Sequence, residues 1–201
     1  MIYVISGPSG CGKSTLIKNL LTRLPGLQFS ISHTTRPRRS DEVEGQDYYF
    51  VTRDEFERMK NSGAFLEWAE VHGHLYGTSQ EEVSRKSRQG DLILDIDVQG
   101  ARQVKKKLEE ASFVFVVPPS YPELEKRLKQ RKADPPEAIA LRLNNARREI
   151  LESNLFDYLV INGELNQALE ELKAIILSHR CLLRERQKEF KEILKSFKSW
   201  P

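Results

Sequence analysis

The chain has 201 residues, 39% hydrophobic and 30% charged, a composition typical of a soluble enzyme of one domain with an inserted subdomain. The 32 basic and 29 acidic residues give a net charge of only +3, so we expect no nucleic-acid partner, and Cys11 and Cys181 read as free thiols of a reducing compartment. No apolar run approaches the roughly 18 residues of a membrane span, and the apolar start lacks the basic region of a signal peptide, so we expect a cytoplasmic protein without a membrane partner.

Short apolar runs alternate with helical patterns along the chain. The predicted strands are 2–6, 29–32, 48–51, 64–71, 74–77, 91–97, 113–117 and 158–161. The predicted helices are 13–24, 52–60, 79–88, 98–108, 120–131, 135–153 and one long helix over 164–199. Capping boxes, Thr52 with Glu55 and Ser120 with Glu123, mark two helix starts. This alternation predicts an α/β fold, a parallel sheet flanked by helices, in which 33–90 forms a small α+β insertion.

The first strand runs directly into "GPSGCGKS", residues 7–14, which fits the P-loop pattern G-x-x-x-x-G-K-[ST]. The glycines let successive backbone N–H groups surround a phosphate, and the helix that follows adds the partial positive charge of its N-terminus. Lys13 would reach the β- and γ-phosphates, and Ser14 would bind Mg²⁺. The motif indicates a nucleoside triphosphate site, which GTPases, ATPases and small kinases share.

The rest of the chain supplies groups for a second anion. Arg36, Arg38 and Arg39 stand close together, with Tyr48 and Tyr49 nearby. Glu67, Tyr76 and Thr78 follow, also within the predicted insertion. Asp95 and Asp97 are two residues apart, so on the predicted strand they point to one face, at the sheet edge where the P-loop lies.

The sequence resembles the guanylate kinases of the soluble bacterial type. The resemblance runs from Ile2 to about residue 176 and rests on "SGPSGCGKST", "SHTTRPRR", "EGQDYYFV", "FLEWAEVHGHLYGTS", "LDIDVQG" and "VFVVPPS". These motifs together are far more specific than the P-loop alone. The lid departs from the family pattern, because "QRKADPPE" replaces a glycine-containing segment such as "GRGTDSEE".

The resemblance implies the transfer of the γ-phosphoryl group of ATP to GMP, with Mg²⁺ as cofactor, in purine nucleotide metabolism and GMP recycling. It implies an ATP site of Gly7, Pro8, Ser9, Gly10, Cys11, Gly12, Lys13, Ser14, Thr15 and Asn162, with Asn162 on the adenine side. It implies that Arg36, Arg39, Tyr48 and Tyr76 bind the phosphate of GMP, while Ser32, Glu67, Thr78 and Asp97 read guanine. Asp95 matches a carboxylate near the water shell of Mg²⁺, and Arg127, Arg131 and Arg142 match arginines that close over the transferred group.

We expect a core of about 1–32, 91–125 and 143–201, a GMP-binding insertion of about 33–90 and a lid of about 126–142. The acceptor is a phosphate oxygen that is already an anion, so no general base is required, and positioning and charge neutralisation supply the catalysis.

Two other interpretations stay open at this point. One is another small kinase of the same scaffold, such as a ribose-bisphosphate kinase, which would lack the full guanine set. The other is a non-catalytic, peptide-binding module, although such modules typically lose the P-loop lysine that this chain keeps as Lys13. The lysines at 105–107 read as a solvated helix face. The apolar residues beyond Arg180 indicate that the last helix either bends back or contacts another subunit, so a homo-oligomer is an open expectation.

Overall fold

The computed structural model describes residues 1–71, 73–130 and 135–198. The strands are β1 (Ile2–Ser6), β2 (Leu27–Phe29), β3 (His33–Thr34), β4 (Tyr49–Phe50), β5 (Phe65–Val71), β6 (His74–Ser79), β7 (Asp91–Asp95), β8 (Ser112–Val117) and β9 (Tyr158–Ile161). The helices are α1 (Lys13–Arg23), α2 (Arg53–Asn61), α3 (Gln80–Ser87), α4 (Val98–Lys105), α5 (Tyr121–Gln130), α6 (Pro136–Ile150), α7 (Leu165–Arg180) and α8 (Gln187–Lys198), with a 3-10 turn at Ser153–Leu155.

The main sheet contains five parallel strands in the order β2-β7-β1-β8-β9. Successive side chains of β1 pack into two different apolar cores, one on each face of the sheet, because successive residues of a strand point to opposite faces. Tyr3 and Ile5 pack with the buried residues of α1 and α7, whereas Val4 packs with those of α4. The predicted α/β fold with a parallel sheet between helices is therefore confirmed, and the carboxyl ends of β1, β7 and β8 meet at one edge.

A second sheet, in the order β4-β3-β6-β5, is formed between β2 and β7 of the chain. Its strands β5 and β6 are antiparallel, as the sequence predicts, and the pairing shifts register between Phe65 and Glu67. The sheet has a small apolar core of its own, in which Phe56, Phe65 and Leu75 are buried together.

Both predicted capping boxes have their side-chain-to-backbone bond. The Thr52 hydroxyl accepts from the backbone N–H of Glu55 at 3.2 Å, and the Ser120 hydroxyl accepts from that of Glu123 at 3.3 Å. These short-range signals predict helix starts well, because every partner lies within one turn.

Other expectations are wrong. Of the strand predicted over 29–32, only Phe29 lies in a strand, at the end of β2, and residues 30–32 connect it to β3 of the other sheet. The long C-terminal helix is two helices, since α7 ends at Arg180 and the backbone N–H of Cys181 closes its last turn on Leu177 and Ser178.

The lysines at 105–107 are exposed, as expected, but two of them also bond to distant parts of the chain. Lys105 donates to the carbonyl of Leu155 at 2.5 Å, and Lys107 donates to that of Leu66. Both partners lie far away in the sequence, so the run of charges alone could not indicate these contacts. In the part of the chain that the structure describes, no helix combines the length and apolarity that crossing a bilayer requires.

Candidate active site

The P-loop curves tightly because three of its glycines have positive φ angles. Gly7, Gly10 and Gly12 have φ values of 146°, 93° and 98°, a region that other residues rarely adopt. A Cβ at Gly7 would collide with the carbonyl oxygen of Val116 on β8, so the loop leaves β1 in contact with the neighbouring strand. Gly12 is the N-cap of α1, which places Lys13 and Ser14 at the positive end of that helix.

Two side chains from distant elements hold the P-loop at Cys11. Asn162, buried at the end of β9, donates its amide to the Cys11 carbonyl at 2.7 Å. Arg127 of α5 reaches the same carbonyl at 3.3 Å, while its Nε donates to Glu123 at 2.9 Å. The structure therefore places the predicted adenine-side residue and one predicted lid arginine directly against the phosphate-binding loop.

Lys13 lies folded back over the loop and donates its Nζ to the Gly7 carbonyl at 2.5 Å. Burial acts to lower the pKa of Lys13, but the nearby Cys11, Asp95 and Glu149 outweigh it and the pKa is raised. Burial raises the pKa of Asp95, which Lys13 acts to lower. Lys13 is thus a stable cation in a site that also contains carboxylates.

One arginine of the second sheet's region, Arg36, already has an acidic partner in the chain. Arg36 makes a bidentate pair with Glu42, with contacts of 2.6 and 3.0 Å, and its guanidinium lies 5.5 Å from the ring centre of Tyr48. The backbone N–H of Arg39 donates to Glu42 at 2.8 Å, and its side chain is exposed. The ring of Tyr76 meets that of Tyr48 edge-on, so these four predicted phosphate ligands surround one region.

The base-reading candidates form a second cluster. Glu67 of β5 is only 3% exposed, and it accepts hydrogen bonds from the hydroxyl and the backbone N–H of Thr78. The Thr78 and Ser32 hydroxyls are 3.2 Å apart, so they bond to each other. The sequence predicts Asp97 to lie on the strand, and this prediction is wrong because β7 ends at Asp95. Asp97 instead caps α4, accepting from the backbone N–H of Gly100 at 2.8 Å.

Glu67 and Asp97 approach each other over Gly100. A Cβ at residue 100 would collide with a carboxylate oxygen of Glu67 and would lie 3.4 Å from one of Asp97. Burial raises the pKa of Glu67 to about 7; the bonds from Thr78 oppose this rise, and the charge of Asp97 adds to it. The pocket therefore holds two carboxylates that compete for ionisation, a strong acceptor site for N–H groups.

The two clusters face the P-loop. The charge of Lys13 acts on both Asp95 and Asp97, and that of Asp95 acts on Tyr48. Arg142 lies half-buried on α6, while the predicted lid residue Arg131 lies outside the described residues. The arrangement suits the joining of two phosphate-bearing ligands end to end.

Two carboxylates of this region were missed by sequence reasoning. Glu42 pairs with Arg36. The sequence feature that could have indicated this pair is an acidic residue at the end of an arginine-rich loop. Glu149 lies near Lys13, and it stands seven residues after Arg142 on α6, hence on the same helical face.

The donor set at the carboxyl edge fits Mg²⁺ rather than a softer metal. The Ser14 hydroxyl is exposed at the start of α1, and the Asp95 carboxylate lies half-buried at the end of β7. Oxygen ligands in small number suit an ion that keeps several waters and takes its other ligands from substrate phosphates.

Comparison with known proteins agrees with this arrangement. The sequence model of the family described as Guanylate kinase matches residues 1–179. A guanylate kinase of Syntrophotalea carbinolica is 50% identical over 182 residues, which is 90% of this chain and 87% of that protein. One of Thermotoga maritima is 43% identical over 200 residues, covering 99% and 97%. The crystal structure of guanylate kinase from Anaplasma phagocytophilum superposes with a TM-score of 0.76 at 32% identity, covering 90% of this chain and 87% of the other.

We predict that Glu67→Gln stabilises the protein in the absence of ligands. The pKa of the Glu67 carboxyl rises from 4.5 to about 7 on folding, so the folded protein becomes less stable as the pH rises through this window. The amide removes that loss, so above about pH 8 the free energy of unfolding should rise by about 2–3 kcal/mol. Thermal unfolding at two pH values measures this, and below about pH 4.5 the gain should vanish.

Glu70→Gln is the matched control, because Glu70 lies on the same strand with an exposed side chain. It should leave the melting temperature unchanged at both pH values. A Glu67→Gln protein that melts below the wild type at about pH 8 would show that the buried carboxylate stabilises the fold.

Proposed function

The chain belongs to the guanylate kinase family, and we propose that its P-loop binds ATP while its second sheet binds GMP. The reaction is the transfer of the γ-phosphoryl group from ATP to GMP, giving ADP and GDP. The proposal keeps the division expected from the sequence, with a core, a GMP-binding insertion at about 33–90 and a lid at about 126–142.

The donor side consists of the P-loop and the groups that hold it. Its backbone N–H groups and the start of α1 cradle the phosphates, and Lys13 neutralises the β- and γ-phosphates. Arg127, already in contact with the Cys11 carbonyl, stands where charge develops as the phosphoryl group leaves. Arg131 and Arg142 are proposed for the same task from the lid side.

The acceptor side consists of Arg36, Arg39, Tyr48 and Tyr76, which bind the phosphate of GMP. Arg36 is oriented by its bidentate pair with Glu42 and by the Tyr48 ring. A phosphate that binds Arg36 competes with Glu42 for the same guanidinium, so binding exchanges one anionic partner for another.

The observation that carries the proposal is the buried pair of carboxylates, Glu67 and Asp97, beside two hydroxyls. Guanine presents N–H donors at N1 and N2 and an acceptor at O6. Carboxylates suit the donors, and the hydroxyls of Ser32 and Thr78 suit O6. Adenine has an acceptor at N1 and a donor at N6, so it would leave buried groups unpaired, at a cost of several kcal/mol.

No residue needs to act as a general base, because the attacking phosphate oxygen is already an anion. The chain's own residues align two polyanions and exclude water, which requires the insertion and the lid to close over the core. Ser14 and, through water, Asp95 would hold Mg²⁺, which supplies charge neutralisation between the phosphates when bound. We place the enzyme in the cytoplasm, in purine nucleotide metabolism and GMP recycling.

The decisive experiment is a coupled ADP-release assay with ATP, Mg²⁺ and a panel of nucleoside monophosphates. We expect GMP to exceed AMP in kcat/KM by roughly 10⁴ or more, because a site built for N–H donors rejects a base that lacks them. Comparable rates with AMP, or use of a ribose bisphosphate instead, would refute the proposed function.

A second prediction separates the two sites. Lys13→Ala should remove nearly all turnover, since the main contact of the donor phosphates is lost, but should leave GMP binding intact because the GMP ligands lie on the insertion. Calorimetry with GMP alone measures the binding. Loss of GMP affinity in a folded variant would contradict this division of the site.

We further propose that α8 associates with a second copy of the chain. Phe190, Ile193, Leu194 and Phe197 form one exposed apolar stripe along this helix, and Phe197 is 74% exposed. Glu189 and Lys191 border the stripe on opposite sides, so a second copy offers a complementary charge to each. The helix carries four lysines and two glutamates, so an anionic membrane is the alternative partner that the test must exclude.

We predict that a chain ending at Arg186 loses self-association while retaining turnover. This truncation removes α8 but keeps Arg180, which binds Asp91 at 2.7 Å and so fastens α7 to the core. Light scattering over a range of concentrations measures the mass, and the ADP-release assay measures kcat. A full-length chain that stays monomeric throughout, or that instead sediments with anionic vesicles, would refute the assignment.

A further inference from the structure

Strand β5 lies at the edge of the second sheet, and its free side faces helix α4 of the core. Side chains of α4 occupy the backbone groups of that edge. The carboxamide of Gln103 donates to the Trp68 carbonyl at 2.6 Å and accepts from the Trp68 N–H at 3.3 Å. Gln99 donates to the carbonyl of Glu70 at 3.5 Å, and Lys107, just after the helix, donates to that of Leu66.

The side chains of α4 can contact successive backbone groups of β5 because the repeat distances of the helix and the strand are similar. Residues four apart on a helix are separated by about 6 Å along its axis, and residues two apart on a strand by about 6.6 Å. Gln99, Gln103 and Lys107 are spaced by four, and their partners Glu70, Trp68 and Leu66 by two. We name these three side chains the α4 clamp; it fixes the register of the strand against the helix.

The clamp acts at a β-bulge. The register between β5 and β6 shifts between Phe65 and Glu67, which leaves Leu66 as the extra residue. Consecutive side chains are therefore both buried: Leu66 packs into the core beside Leu92, whereas Glu67 turns toward Gly100. Lys107 contacts the carbonyl of the bulged residue itself, and Gln103 contacts the residue on the other side of Glu67.

We propose that the α4 clamp is the positioning element of the base pocket, holding Glu67 at the distance from Asp97 that guanine requires. The proposal rests on the proposed function. The helix that carries the clamp also carries the groups around Glu67. Asp97 caps the start of α4, and Gly100, one turn further on, contacts Glu67. Glu67 lies on a strand of the second sheet and Asp97 at the start of a core helix, so no local structure fixes their separation; the clamp does.

Lys107 has an additional effect through its charge. The charged groups that face Glu67 are Asp97, which raises the pKa of its carboxyl after the larger effect of burial, and Lys107, which lowers it. Lys107 thus favours the ionised carboxylate that accepts from N–H donors, while it holds the bulge in place.

Gln103→Met tests the positioning role, because it keeps the length of the side chain and removes both hydrogen bonds. GMP and IMP are compared as acceptors at saturating ATP; IMP lacks the N2 amino group and reports on the second carboxylate contact. We expect kcat/KM for GMP to fall about 10-fold, chiefly through KM, and the preference for GMP over IMP to fall severalfold, since a small misplacement of a binding group is costly. Gln103→Glu, which keeps only the acceptor, should behave similarly.

Lys106→Met is the matched control, because Lys106 follows α4 in the same turn with an exposed side chain. It should change neither KM nor the GMP to IMP ratio. A lower melting temperature of Gln103→Met with an unchanged ratio would mean that the clamp only stabilises the fold, and it would overturn the proposal. A wild type that fails to phosphorylate GMP would instead refute the proposed function.

A second pair of variants gives a readout that folding alone would not move. Lys107→Met should shift the acidic limb of the pH profile of kcat/KM for GMP to higher pH, because Glu67 then ionises less readily, and Lys107→Arg should restore it. An identical profile for wild type and Lys107→Met would overturn the part of the proposal that concerns Lys107, whether or not Gln103→Met folds.

Discussion

The close approach of the P-loop backbone to the neighbouring strands constrains the rest of the structure. Gly7 touches the backbone of β8, and Gly12 lies against Asn162 at the end of β9, so neither position can carry a side chain. The loop can only form where β1 has parallel neighbours whose ends meet at one edge. The order of the main sheet, the start of α1 and the position of Arg127 all follow from that meeting point.

Two of the cations proposed to bind phosphate have partners within the chain. Lys13 bonds to the Gly7 carbonyl, and Arg36 is paired with Glu42. In the proposed reaction, substrate phosphates would replace these partners, whereas the Glu67 carboxylate is buried, with its charge disfavoured by burial and favoured by Thr78. The buried carboxylate of the base pocket is therefore a group whose charge is costly to keep.

How far the sequence predicts the structure depends on how local each signal is. The P-loop, the capping boxes and the alternation of strands and helices act over one turn or one βα unit, and the structure confirms most of the elements they predict, although not the strand over 29–32 or the single helix over 164–199. Asp97 could not be placed, because the end of β7 two residues earlier is set by pairing with β1. The break between α7 and α8 carries no glycine or proline, and the contacts of Lys105 and Lys107 join residues about 40 or more positions apart.

The same distinction separates the two halves of the site. The P-loop is contiguous in sequence, so one motif identifies it, although Arg127 and Asn162 reach it from distant elements. The acceptor half draws Glu67 from an edge strand of one sheet and Asp97 from a helix cap beside another. In the proposed enzyme, binding of the donor phosphates depends mainly on one loop, whereas base selection depends on how the two sheets are joined. If the α4 clamp positions Glu67 as proposed, side chains such as Gln103, which belong to neither cluster, serve specificity as much as stability, because the separation of the carboxylates would then distinguish one base from another.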